Sequence, residues 1–91
     1  MGAEDTYDAI CKAFEGDVRI RVLRAYLDEL AFGNFIIAFQ LNGQPKSIVN
    51  DRGQLFLHDN LSGAGAGTEV VRSLYNADED TLLQTLAALL A

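Results

Sequence analysis

The chain has 91 residues, of which 49% are hydrophobic and 22% charged, and a formal net charge of −6. That length makes one folded domain with its own core, and that composition excludes a disordered or low-complexity chain. One cysteine and one histidine exclude an intrachain disulfide and any multi-cysteine zinc site.

The charge is unevenly placed: residues 1–17 and 59–91 each carry five acids against one base, whereas 18–58 carry five bases against three acids. Nucleic acid and anionic membrane both require a concentrated positive footprint, so neither is an expected partner. The first residues lack a basic-plus-apolar targeting pattern, and no apolar run approaches membrane-span length, so a soluble, cytoplasmic protein is expected.

Tyr7, Ile10, Cys11 and Phe14 recur at helical spacing, with Asp5 or Thr6 as the cap and Gly16 as a left-handed stop. A second helix is expected over 17–32, from the stripe Val22, Leu23, Tyr26, Leu27 and Leu30, with Arg21, Arg24 and Asp28 on the other side. A rival pattern overlaps it. Residues 18–22 alternate apolar and charged, which is strand periodicity and would add a fourth strand to the sheet.

Residues 35–59 read as three strands joined by two tight turns. Asn42-Gly43 suits a type I′ hairpin, and Asp51-Arg52-Gly53 supplies a second turn with glycine in the left-handed position. Phe35, Ile37, Phe39 and Leu41 fall on one face and Ile36 and Ala38 on the other, so the sheet needs a cover on both sides. Residues 60–67 form a loop of small residues with little fixed conformation of its own. Thr68 begins a short helix with Val70, Val71, Leu74 and Tyr75. Asn76 caps a last one, with Glu79 in a capping box and Leu82, Leu83, Leu86 and Leu90 on its apolar face. The expected fold is a single α+β domain spanning 1–91, a three-stranded antiparallel meander flanked by two helices at each end (ααβββαα).

No residue cluster specifies a reaction, and the chain reads as a non-enzyme without cofactor or metal. The run Gly63–Gly67 resembles a phosphate loop only loosely: it lacks the Gly-Lys-Ser/Thr of a Walker loop, and Glu69 opposes an anion there. His58 precedes Asp59, but neighbours along a strand point to opposite faces, so the two do not form an orienting pair. Cys11 reads as a helix-face hydrophobe.

Two functional expectations follow. The first is a non-catalytic interaction module (an adaptor, inhibitor or assembly factor) that forms a homodimer and binds an unidentified protein. Its contacts would be Ile36, Phe56, Leu86 and Leu90, because apolar surface exceeds what the helices cover. The alternative is a small-ligand sensor with a pocket between sheet and helices, gated by the 60–67 loop, with His58, Arg52, Tyr75 and Gly65 as contacts.

Overall fold

A computed structural model describes residues 1–31 and 33–91. Helix α1 (Ala3–Glu15) is followed by five strands, β1 (Ile20–Asp28), β2 (Asn34–Leu41), β3 (Gln44–Asp51), β4 (Gln54–His58) and β5 (Thr68–Val71), then a 3-10 turn (Leu74–Asn76) and helix α2 (Glu79–Leu89). The strands form one antiparallel sheet in the order β1-β2-β3-β4-β5. The architecture is therefore α+β, but the expected ααβββαα pattern is wrong: there are two helices and five strands. Residues 20–28 are the rival strand rather than the second helix, and 68–71 are a strand rather than a helix. Phe32, the expected end of that second helix, lies outside the described residues.

The three central strands follow from their turns. Asn42 and Gly43 both have positive φ (50° and 82°), as do Arg52 and Gly53 (53° and 91°), so each hairpin closes through a two-residue turn whose twist matches its strands. The register then sets the faces. Phe35, Ile37 and Phe39 lie on one side with their cross-strand partners Asn50 and Ile48; Ile36 and Ala38 lie on the other with Val49 and Ser47. We call these the inner and outer faces.

Both helices cover the inner face. Phe14 of α1 packs on Phe39 at 4.7 Å between ring centroids, and Tyr7 meets Phe35 edge-on at 5.4 Å. Leu82, Leu86 and Leu90 join the same buried cluster with Ile48, Leu55 and Leu57. The capping differs in detail from expectation. Gly2 is the N-cap of α1, and Gly16 ends it in a right-handed conformation. Asp78, not Asn76, caps α2: its carboxylate accepts from the Thr81 N–H at 2.9 Å, and that bond holds the carboxyl below the usual range.

The two sheet edges differ. The β5 edge is four residues long. The β1 edge is nine residues long, and no strand pairs with its outer side among the described residues. Residues 21–26 of β1 are all exposed, including Val22 and Ala25, whose partners Phe39 and Ile37 are buried inner-face residues. The strand thus overhangs the helical layer. Among the described residues no helix is long and apolar enough to cross a membrane.

Candidate functional site

The outer face has its own cover, the 60–67 loop. Asn60 organises it: the Asn60 Oδ1 accepts from the Gly63 N–H at 2.7 Å, and its Nδ2 donates to the Ala64 carbonyl at 2.9 Å. The loop therefore has a defined shape, against the expectation of little fixed conformation. Such local side-chain-to-backbone bonds are what asparagine contributes to turns. The loop lies so close to the sheet that a Cβ at Gly63 would sit 2.6 Å from Val49 Cγ2 and 3.6 Å from Ser47 Oγ. A Cβ at Gly67 would sit 2.8 Å from both Cε1 and Nε2 of His58 and 3.1 Å from its Nδ1. Near-equal distances to three neighbouring ring atoms mean that the strap lies on the face of the imidazole.

Beneath the strap is a cleft of ≈ 430 Å³, lined by Val49, Asp51, Phe56, His58 and the backbone of Gly63, Gly65, Ala66 and Gly67. A second hollow of ≈ 340 Å³ adjoins it through Val49 and Asp51 and runs toward Tyr26 and Asp28. His58 is only 5% exposed, and its Nδ1 is buried without a hydrogen-bond partner. Its cross-strand neighbour Ser47, fully buried, carries a second unpartnered atom, Oγ. A buried polar atom without a partner normally costs about 1–3 kcal/mol, so two side by side under a glycine strap set this place apart from the rest of the molecule. Ser47→Ala is accordingly expected to leave stability unchanged or to raise it by up to about 1 kcal/mol in urea unfolding, where a buried serine with a partnered hydroxyl would lose stability. A loss above about 1 kcal/mol would mean that the hydroxyl is engaged.

Of the residues singled out by sequence for a ligand, His58 and Gly65 come together in this cleft. Arg52 and Tyr75 do not join them. The Arg52 N–H donates to Asn34 Oδ1 at 2.8 Å, and the Tyr75 ring lies against Gly53, which places both at the β3–β4 turn. The cleft is on the outer face, whereas the space between sheet and helices holds the packed core. Of the expected interface residues, Ile36 and Phe56 are half-buried on the outer face, while Leu86 and Leu90 are 2% and 3% exposed, inside the core.

Val49, which lines the cleft, and Ser47, beside His58, escaped the sequence reading. The signal for both was available: once both turns are fixed, period-two alternation places 47, 49 and 51 on one face with 56 and 58.

Cys11 lies on α1, across the sheet from His58, so the two cannot act as a pair. Burial pushes its thiol pKa up, only partly opposed by a hydrogen bond with Tyr7. Among the described residues no three His, Cys, Asp or Glu side chains gather as a metal site. Outside the cleft, the ion pairs Asp17–Arg19 and Lys46–Asp59, both at 2.8 Å or less, lie at the surface. Comparison with protein-family models, with curated proteins and with solved structures finds no significant match.

Proposed function

We propose that the chain is a non-catalytic protein-interaction module that binds by strand addition along β1, and that its first partner is a second copy of itself. The observation that carries this reading is the β1 edge: nine residues long, unpaired on one side among the described residues, and exposed on both faces over 21–26. A long edge with apolar side chains is a template for another strand, and proteins that do not use such an edge shorten, cover or break it. The exposed apolar residues Val22, Leu23 and Tyr26 lie along β1, with Val18 and Leu30 fully exposed beyond its two ends. The one irregularity, a bulge between Val22 and Arg24, leaves most of the edge extended.

Side-chain chemistry selects a register. A symmetric antiparallel pair requires one residue to face its own copy at the twofold axis. Arg24 at the axis would oppose two guanidinium groups. Ala25 at the axis brings two small side chains together and sets Arg24 opposite the partner's Tyr26, a cation–π geometry. The result is a continuous ten-stranded sheet, whose twist and exposed apolar residues support an interface without help from the buried Leu86 and Leu90.

Sedimentation velocity of the whole protein over a concentration series tests this. The expected result is a reversible dimer that Ala25→Lys weakens at least tenfold, through two ammonium groups at the axis, with an unchanged circular-dichroism spectrum. A wild-type monomer at every concentration, or a dimer indifferent to Ala25→Lys, overturns the reading.

A further inference from the structure

We infer that the outer face of β1 and β2, beside the 60–67 strap, is a docking groove for an amphipathic helix of a partner protein, with acids in its first turn and bases in its last. The inference goes beyond strand pairing. Pairing uses the backbone edge of β1, whereas the groove uses the side chains of its outer face.

The register builds the groove. On the outer face Arg21 sits beside Gln40, Arg24 beside Ala38, Tyr26 beside Ile36, and Asp28 beside Asn34. Both helices cover the opposite face. The strap reaches across this one as far as Ile36, whose Cδ1 would lie 3.5 Å from a Cβ at Gly63. Between strap and β1 lie two hollows. One, ≈ 330 Å³, is lined by Leu23, Arg24 and Leu61; the other, ≈ 340 Å³, by Tyr26, Ile36, Asp28 and Asp51. Leu23, Tyr26 and Leu61 are exposed apolar side chains. The charges divide by end, with Arg21 and Arg24 at one and Asp28 and Asp51 at the other. None of the four belongs to the ion pairs found among the described residues.

These features select the occupant. A chain lying on the side chains of a sheet finds no backbone groups to pair with, so it must satisfy its own, and a helix does. Two strands are about 10 Å wide, the diameter of one helix. Arg21 and Asp28 lie seven positions apart with one absorbed by the bulge, a span of roughly 20 Å, or about 14 helical residues. Acids in the first turn and bases in the last are what the helix dipole favours, and a helix parallel to β1 sets them against Arg21 and Arg24 and against Asp28 and Asp51. A second copy of this chain fits worse. Outer faces stacked with opposed strands put strap on strap, and with aligned strands the strap entering the groove, residues 60–67, carries no charge to answer either end. Its helices are already held on its own inner face.

The probe is a synthetic peptide of about 14 residues, blocked at both ends, with two glutamates first, two lysines last and leucines along one helical face between them. Fluorescence anisotropy of the dye-labelled peptide should show saturable binding with a dissociation constant of about 10–100 μM, and its helical circular-dichroism signal should grow on binding. Arg24→Glu and Asp51→Lys, both at exposed positions, should each weaken binding about fivefold without changing the protein's own spectrum. Arg72→Glu makes the same charge change as Arg24→Glu on an exposed residue outside the groove and should leave affinity unchanged. Ala25→Lys, on the inner face, should also leave it unchanged, which separates the result from whether β1 pairs. Absence of saturable binding, unchanged affinity in Arg24→Glu or Asp51→Lys, or an equal loss in Arg72→Glu or Ala25→Lys each overturns the inference.

Discussion

Asn50→Ala is expected to lower the free energy of unfolding by about 2–4 kcal/mol, because it leaves two backbone groups without partners. Asn50 is 1% exposed and lies on the inner face between Phe35 and Leu55. Its Nδ2 donates to the Gly33 carbonyl at 2.9 Å, and its Oδ1 accepts from the Gly53 N–H at 2.9 Å. One side chain thus ties the end of the β1–β2 connection to the β3–β4 turn, two segments far apart in sequence. Gly53 passes the link on, since its carbonyl accepts from the Leu74 N–H at 2.8 Å and so fixes the 3-10 turn.

Urea unfolding measures the loss, and a change below about 0.5 kcal/mol would show that water replaces the amide at both ends. Asn50→Asp separates the two bonds. An aspartate keeps the bond from the Gly53 N–H but, when ionised, sets an acceptor against the Gly33 carbonyl. Burial and that contact raise its folded-state pKa above the unfolded value, so the charged form is the unfavourable one. The deficit of this variant is therefore full at neutral pH and shrinks as pH falls through the raised pKa, when the carboxyl becomes a donor. Asn50→Ala shows no such recovery.

The strands of the meander were legible in the sequence because their information is local: two positive-φ turns, each with a glycine, separated by alternating apolar residues. Residues 20–28 misled for a physical reason. The bulge after Val22 shifts the phase, so the inner face reads Ile20, Val22, Ala25, Leu27, a mixture of spacings that a helical stripe imitates. The strand also overhangs the helices, so its exposed apolar residues report no buried face. Thr68–Val71 was too short for its alternation to stand against a good N-cap residue. Asn50 stayed invisible because its partners, Gly33 and Gly53, come from two different turns, a coincidence that only the folded register creates. The cleft was half legible: the sequence selected His58 and Gly65 from residue type, and the face that unites them with Ser47, Val49 and Asp51 depends on register.

Gly63→Ala is the second large effect, expected to cost about 2–4 kcal/mol from the left-handed backbone and the overpacked contact together. Gly63 has φ of 73°, and an added methyl would lie 2.6 Å from Val49 Cγ2, a stiff β-branched side chain with little freedom to retreat. Gly65→Ala provides the control. Its φ of 81° carries the same backbone penalty, but nothing lies within 4 Å, so its cost should stay near about 1 kcal/mol. The difference between the two variants isolates the contact between strap and sheet. Its size has a ceiling, because the strap can lift rather than compress. Once it lifts, the cost is that of re-exposing Ile36 and Val49, and further crowding adds nothing. Amide exchange over 60–67 distinguishes the two responses: a strap that has lifted exchanges fast while β2 and β3 stay protected. Val49→Ala makes room for the methyl, so Gly63→Ala combined with Val49→Ala should cost less than the sum of the two single changes. Strict additivity in that cycle, or equal costs for Gly63→Ala and Gly65→Ala, would mean that the strap does not rest on Val49. The cleft over His58 would then have no fixed roof.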